Sequence, residues 1–162
     1  MKKDIDFLGK KIGKNYPVFI IAEIGLNHNG DIRIAKKLMK EAKEAGCDAV
    51  KFQKRDVNTL ATKEFLDAPD LRFPKFGKTY RALREHLEFT EKEYRELIAY
   101  AKKLDIPFFC TPFDIPSAKF LERLGVKAWK IASHCVTNHP LLEYVAKTGS
   151  PVIMATGMTT LP

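Results

Sequence analysis

The chain has 162 residues, of which 45% are hydrophobic, and this is enough to form one globular core. Its formal charge of +8 would suit a nucleic-acid-binding protein, but the lysines of residues 36–44 alternate with glutamates along a helical pattern. Such alternation is typical of solvated helix faces. We therefore expect no nucleic-acid partner, although the positive field would attract small anionic substrates.

The sequence also bears on cellular location and on the state of the cysteines. It contains no run of about 18 apolar residues, and its first six residues mix acids with bases instead of forming a signal peptide. We expect a cytoplasmic protein without a membrane span. Cys47, Cys110 and Cys135 lack the spacing of a metal or redox motif. We expect them to be buried free thiols.

The stretch 18–30 carries the first candidate for chemistry. Residues 1–17, with Gly9, Gly13 and Pro17, predict a short two-stranded lead-in that closes one end of a larger structure. The apolar run 18–22 then predicts a parallel strand buried on both faces. Glu23 follows this run, and polar groups at the carboxyl ends of such strands face the ligand.

An Asn-His-Asn-Gly turn comes after Glu23 and contains His28. A metal ligand and a catalytic base are both open as roles for this histidine. We favour a contact at the entry to the next helix, for which Asp31 is the predicted N-cap.

Further strands alternate with helices along the rest of the chain. Strands are predicted over residues 18–22, 47–53, 106–110, 126–132 and 151–155. Thr90 and Glu93 form a capping box, and Gly46, Gly125 and Gly149 predict helix ends. Between the second and third strands, the 54–89 segment has an irregular pattern with scattered aromatic residues. It predicts a long ordered loop that acts as a lid.

This alternation predicts an α/β fold with a parallel sheet and right-handed crossovers. The 145 residues from Val18 to Pro162 give 29 residues for each of five units. A TIM (β/α)8 barrel has about 31 residues per unit. We expect the first five units of such a barrel in residues 18–162. The predicted strand ends carry Glu23, Lys51, Gln53, Thr111, Lys130, Ser133 and Thr156.

Five motifs, in order along the chain, resemble the sialic acid synthase family, which includes the N-acetylneuraminate, legionaminate and pseudaminate synthases. They occupy residues 22–30, 51–53, 79–89, 130–133 and 156–158. The resemblance implies a TIM-barrel enzyme that condenses phosphoenolpyruvate with an N-acetylated amino sugar, such as N-acetylmannosamine, and releases phosphate. It also implies a homodimer and a divalent metal, manganese or magnesium, whose histidine ligands come from later strands that this sequence lacks.

The resemblance also implies roles for individual residues. Glu23 matches the active-site carboxylate, which either orients the attacking water or stabilises the cationic centre. Gln53 matches a contact to the sugar. The residues that match the phosphoenolpyruvate site are Lys51, Thr111, Lys130 and Ser133. Two lysines at strand ends would supply the cations that a phosphate and a carboxylate need.

The sequence departs from the family pattern at two places. Cys135 stands where the family commonly has an acid that contacts the sugar, and Ala155 stands where a serine often contacts phosphate. A thiol nucleophile formed by His134 and Cys135 is not expected, because adjacent residues on a strand point to opposite faces.

Two alternative functions stay open at this point. One is a truncated, non-catalytic barrel fragment that serves only as a binding or interaction piece. The other is a Schiff-base aldolase on the same barrel, with Lys130 as its nucleophile. Borohydride trapping with pyruvate distinguishes this aldolase from a synthase.

Overall fold

The computed structural model describes residues 4–160 and shows a short hairpin followed by a parallel sheet. The strands are β1 (Ile5–Phe7), β2 (Lys10–Ile12), β3 (Ile21–Gly25), β4 (Ala49–Lys54), β5 (Phe108–Pro112), β6 (Trp129–Ile131) and β7 (Val152–Met154). β1 and β2 pair antiparallel, and β3 to β7 form one parallel sheet in sequential order. The predicted order of parallel strands is confirmed, and the sheet fits part of an α/β barrel.

Seven helices lie within the described part of the chain. They are α1 (Ile32–Glu44), α2 (Val57–Leu60), α3 (Lys63–Asp67), α4 (Tyr80–Leu87), α5 (Glu91–Lys103), α6 (Ile115–Arg123) and α7 (His139–Lys147). The Asp31 carboxylate accepts the Arg33 N–H at 2.7 Å, which confirms the predicted N-cap of α1. The capping box of Thr90 and Glu93 is also present. Among residues 4–160, no helix is both long and apolar enough to cross a membrane.

Large aromatic side chains fill the core between the sheet and its helices. Trp129 and Tyr94 are fully buried, and each places its polar atom on a partner. The indole N–H of Trp129 donates to Thr148 Oγ1 at 2.9 Å, and the Tyr94 hydroxyl donates to the Gln53 carbonyl at 2.8 Å. The second bond fixes α5 against the carboxyl end of β4.

The hairpin packs against one end of the sheet. Phe7 is buried and makes edge-to-face contacts with Phe19 and Phe109, with ring centroids 5.5 and 5.3 Å apart. The predicted two-stranded hairpin is thus present. Its role in closing one end of a larger structure and a domain boundary at residue 17 stay predictions.

The first strand of the sheet differs from the prediction. The expected strand over 18–22 is wrong by about three residues, since β3 covers Ile21–Gly25. The first pair of the parallel register is Ile21 with Ala49. The N–H of the preceding residue, Ile20, donates to the Asp48 carboxylate at 2.6 Å. Val18 therefore has no neighbour on β4 and is 82% exposed. The expectation of burial on both faces is also wrong, because Ile21 and Ala22 are only half-buried and Glu23 is exposed.

The later strands lie in the predicted places with shifted ends. β5 starts two residues after the predicted start at 106, and β6 covers only three residues of the predicted 126–132. All three cysteines are free thiols as expected, and Cys110 and Cys135 are buried. Cys47 is only half-buried.

The 54–89 segment is ordered, as expected, but the interpretation of an irregular loop is wrong. It contains α2, α3, α4 and a 3-10 turn at Pro74–Phe76. The three helices begin at N-caps Asp56, Thr62 and Thr79, whose side-chain oxygens accept backbone N–H groups.

The two ends of this segment are joined to each other. Lys54 Nζ lies 2.8 Å from a carboxylate oxygen of Glu88, and both side chains are nearly buried. The same oxygen accepts the N–H of Arg55 at 3.2 Å. This ion pair therefore holds the start of the segment, at the end of β4, next to its end, just before α5.

Candidate active site

The site begins at the carboxyl ends of β3 and β4, where Glu23 and Lys51 are paired in the strand register. Lys51 Nζ contacts the Glu23 carboxylate and donates to Thr111 Oγ1 at 3.0 Å. The Lys51 side chain is buried, whereas that of Glu23 is 48% exposed. A buried cation is thus held next to a carboxylate that solvent or a ligand can reach.

Gln53 extends this arrangement by one more hydrogen bond. It lies two residues after Lys51, as the expected same-face placement requires. Its Nε2 donates to Glu23 Oε1 at 3.3 Å, and its Oε1 accepts from Arg55 Nη2 at 2.8 Å. The result is one continuous polar chain that runs through Thr111, Lys51, Glu23, Gln53 and Arg55.

Lys130 brings a second ammonium group to the same site. Its Nζ donates to the Ile131 carbonyl at 2.7 Å, and no carboxylate among residues 4–160 forms an ion pair with it. Burial lowers the pKa of Lys130, the charge of Lys51 lowers it further, and Glu23 raises it. The two ammonium groups are therefore close enough to repel, with one carboxylate near them.

Ser133 lies at the border of the site. It begins a 3-10 turn after β6, and a Cβ on Gly157 would lie 3.6 Å from its Oγ. Its hydroxyl makes no hydrogen bond to the other predicted site residues in the described part of the chain. Of the six predicted residues, the structure thus joins Glu23, Lys51, Gln53 and Thr111 by hydrogen bonds or ion pairs. It places Lys130 within their electrostatic reach.

The described residues do not fit the divalent metal that the resemblance implies. Among residues 4–160, no group of three or more histidine, cysteine, aspartate and glutamate side chains could hold an ion. The ammonium groups of Lys51 and Lys130 would in addition repel a cation next to Glu23. The metal stays a prediction.

His28 supports the turn after β3 from inside the core. It is 1% exposed, stacks on Phe89 with ring centroids 4.2 Å apart, and accepts the Gly30 N–H on Nδ1 at 3.0 Å. Burial lowers its pKa to about 4, so the ring is neutral at pH 7. Its carbonyl accepts the N–H of Asp31, which matches the favoured helix-entry role.

This burial predicts that stability falls in mild acid. The pKa of His28 is about 4 in the fold against 6.5 unperturbed, so between these pH values the unfolded chain binds more protons. The contribution of neutral His28 to the free energy of unfolding is present above pH 6.5. It is lost as the pH falls towards 4, and the total loss is roughly 3 kcal/mol. Thermal unfolding of the complete gene product at pH 7.5 and 4.5 should show a smaller pH-dependent loss for His28→Gln than for the unmodified protein.

The matched control is His139→Gln, at an exposed histidine. It should retain the pH dependence of the unmodified protein. Equal pH dependence in His28→Gln and the unmodified protein would contradict the assignment.

His134 and Cys135 are not arranged for nucleophilic catalysis, as expected, although they lie in a 3-10 turn and not on a strand as the sequence argument assumed. Burial raises the pKa of the Cys135 thiol, and its Sγ lies 4.0 Å from the Phe113 carbonyl. The His134 ring stacks on Phe113 with centroids 4.9 Å apart. The thiol is therefore neutral at pH 7.

Arg55 is the site residue that sequence reasoning missed. It is 7% exposed, its guanidinium carbon lies 3.5 Å from the centre of the Phe113 ring, and its Nη1 has no hydrogen-bond partner among the described residues. The predicted strand ends at Gln53, so the expected site residues do not include Arg55. The spacing in the sequence does indicate it, because Arg55 stands two residues after Gln53, as Gln53 stands two residues after Lys51.

Comparisons with known proteins identify the family of this chain. The model of the NeuB family matches residues 38–162. The N-acetylneuraminate-9-phosphate synthase of Mus musculus is 39% identical over 153 residues, which are 94% of this chain and 43% of that protein. The N,N'-diacetyllegionaminic acid synthase of Campylobacter jejuni is 41% identical over 143 residues, which are 88% of this chain and 43% of that protein.

A solved structure is similar over nearly the whole chain. It is the N-acetylneuraminic acid synthetase of Leptospira borgpetersenii in complex with citrate, with a TM-score of 0.79 and 38% identity. The match covers 98% of this chain and 51% of that one. The chain thus spans less than half of the length of the two synthases above, at 43% of each.

Proposed function

Because the chain belongs to the NeuB family, we propose that it forms part of an enzyme that condenses phosphoenolpyruvate with an N-acetylated amino sugar. N-acetylmannosamine or a relative is the acceptor, a nonulosonic acid is the product, and inorganic phosphate is released. The names of the synthases from mouse, Campylobacter and Leptospira support this proposal. In the complete protein, β3 to β7 would be five consecutive strands of a TIM barrel in a cytoplasmic homodimer.

The observation that carries the proposal is the pair of ammonium groups at the strand ends. Lys51 has one carboxylate partner, and Lys130 has no ion-pair partner among residues 4–160. A site with more cations than anions, partly shielded from water, suits a ligand with both a phosphate and a carboxylate. Phosphoenolpyruvate carries these two groups.

The exposed carboxylate of Glu23 has a role in this reaction. C3 of phosphoenolpyruvate attacks the aldehyde carbon of the open-chain sugar, a C–C bond forms, and positive charge develops at C2. Water adds at C2, and one of its protons balances the proton that the aldehyde oxygen takes up. The C–O bond to phosphate then breaks, C2 becomes a ketone, and the second proton of the water leaves with the phosphate. Glu23 is held by Lys51 and Gln53, and we assign it to C2, where a carboxylate stabilises the cation and orients the water.

Lys130 provides the first test in the complete gene product. With N-acetylmannosamine and manganese present, release of phosphate and formation of a nonulosonic acid are measured at varied phosphoenolpyruvate concentrations. Lys130→Ala should raise the KM for phosphoenolpyruvate at least about tenfold, because it removes a charged hydrogen-bond donor. Lys127→Ala, at an exposed lysine of the same region, is the control. An unchanged KM in Lys130→Ala would contradict the assignment.

A Schiff-base aldolase stays a second candidate because of one observation. The pKa of Lys130 is lowered by burial and by Lys51, which is how enzymes activate a lysine nucleophile. Borohydride added with pyruvate would then leave a covalent adduct on Lys130. We expect no adduct, and its formation would favour the aldolase over the synthase.

A further inference from the structure

A pocket of about 540 Å³ opens between the first turns of α5 and α6, next to the end of β4. We call it the α5–α6 pocket. None of the six predicted site residues lines it, so it is distinct from the candidate active site. Its volume is in the range of pockets that bind small molecules, and Phe89 and Phe120 give it aromatic surface.

The place of this pocket in the sheet keeps it clear of the strands that a complete barrel would add. The helices α5 and α6 lie on either side of β5 in the chain, and β4 and β5 each have two neighbours in the sheet. Further strands can join the described sheet only at β3 or β7. Completion of the barrel therefore inserts no strand between α5 and α6.

Three of the five charged side chains that line the α5–α6 pocket already have partners. Lys54 pairs with Glu88 at 2.8 Å. The two acids are engaged as well, since Glu91 pairs with an arginine of α5 at 2.7 Å and the Asp56 carboxylate accepts an N–H of α2 at 3.0 Å. Neither acid therefore serves as the counter-ion of the two cations that remain.

These two cations are Lys119 and Arg123, which form no ion pair within residues 4–160. They stand four residues apart on α6, so their like charges lie on one face and repel each other. The adjacent acid, Glu122, accepts the Tyr144 hydroxyl instead. The guanidinium carbon of Arg123 lies 5.7 Å from the centre of the Phe120 ring, which does not neutralise its charge.

Ser117 adds a buried hydroxyl to the same pocket. It is 1% exposed, and its Oγ has no hydrogen-bond partner in the described part of the chain. Its N–H already donates to the Asp114 carboxylate at 2.7 Å, so the hydroxyl is the group that lacks a partner. Such a buried hydroxyl is unusual and costs free energy. It lies in the first turn of α6, where the helix dipole favours an anion and no acidic residue follows the cap.

We propose that the α5–α6 pocket is a second binding site, for a phosphate group, with Ser117, Lys119 and Arg123 as its contacts. A phosphate group offers three acceptor oxygens and a charge of roughly −2, which suits one hydroxyl and two cations better than a carboxylate does. An occupant would lie next to the ion pair of Lys54 and Glu88, which joins the two ends of the 54–89 segment. This inference does not rest on the proposed function.

Calorimetric titration of the complete gene product with inorganic phosphate tests the site. The proposed active site would also bind phosphate, so every protein compared carries Lys130→Ala, which weakens that site. Adding Lys119→Gln should weaken phosphate binding at least about fivefold, because it removes a charged donor. Lys103→Gln is the matched control, at an exposed lysine of α5 that forms no ion pair within residues 4–160. It should leave the affinity unchanged.

Ser117→Ala gives a second readout that does not depend on charge. Saturating phosphate raises the unfolding temperature of a protein that binds it. This rise should be smaller with Ser117→Ala than without it, because the hydroxyl no longer donates to the anion. The unfolding temperatures without phosphate show that each variant folds.

The outcomes decide the site whether or not the protein condenses sugars. Absence of phosphate binding would overturn it, and so would equal affinities in Lys119→Gln and Lys103→Gln. An equal rise in unfolding temperature with and without Ser117→Ala would also overturn it.

Phenyl phosphate distinguishes an organic phosphate from the free ion. Binding tighter than that of inorganic phosphate, and weakened by Lys119→Gln, would support a site for an organic phosphate that packs on Phe120. Equal affinities of the two probes, both weakened by Lys119→Gln, would support a site for inorganic phosphate.

Discussion

The 162-residue chain purified by itself should self-associate and form no nonulosonic acid from phosphoenolpyruvate, N-acetylmannosamine and manganese. β3 and β7 each have a single neighbour in the sheet of residues 4–160, so both edges carry unpaired N–H and C=O groups. Apolar side chains near these edges are exposed, including Ile20 at 52% and Met154 at 44%. Such surfaces favour pairing with another chain.

Sedimentation velocity and phosphate release measure the two parts of this expectation. We expect a mixture of oligomers and a rate of phosphate release that does not exceed the rate without protein. Replacing Ile20 and Met154 together by lysine should reduce self-association, since edge lysines oppose strand pairing. The same two substitutions at Ile34 and Leu71, exposed positions outside the sheet, serve as the control. A monodisperse, monomeric chain that releases phosphate at a rate proportional to its concentration would contradict the prediction.

Within the complete gene product, Lys51→Ala should have the largest effect of any single substitution in the candidate active site. Lys51 is 6% exposed and connects Thr111 with Glu23. Its loss removes a buried charge from the proposed phosphoenolpyruvate site and also frees the carboxylate that we assign to C2. We expect phosphoenolpyruvate binding to weaken by about 2 kcal/mol or more, with a further fall in kcat.

Steady-state kinetics and calorimetric binding of phosphoenolpyruvate separate the two effects. Lys36→Ala is the matched control, because Lys36 also forms an ion pair, with Glu96, but lies outside the site. A common fall in both variants would indicate a general loss of stability. Unchanged phosphoenolpyruvate affinity in Lys51→Ala would rule out its assigned role.

The sequence predicts elements well where local chemistry determines them. Asp31 and the capping box of Thr90 and Glu93 satisfy backbone N–H groups within a few residues, so the starts of α1 and α5 follow from sequence alone. Gly46 and Gly125 end their helices with positive φ angles of 81° and 80°, which other residues rarely adopt. The strand alternation is visible for a similar reason, because each buried strand is an apolar run.

Features that depend on partners distant in the sequence are harder to predict from the sequence. The start of β3 depends on where β4 begins, and Val18 and Phe19 are apolar but have no register partner on β4. The helices α2 and α3 have four and five residues, too few for a periodic pattern, and only the caps Asp56 and Thr62 indicate them. The role of Arg55 depends on Phe113 and Arg84, which are remote in sequence.

The ion pair between Lys54 and Glu88 has a consequence for how this protein diverges during evolution. Because the two ends of the 54–89 segment are held together at this contact, we expect that a longer connection between α2 and α3 would leave β4 and α5 in place. The entropic cost of a longer loop grows only slowly with its length, by about 0.6 kcal/mol for each doubling. The length of this segment can therefore change while the sheet that carries Glu23 and Lys51 stays the same.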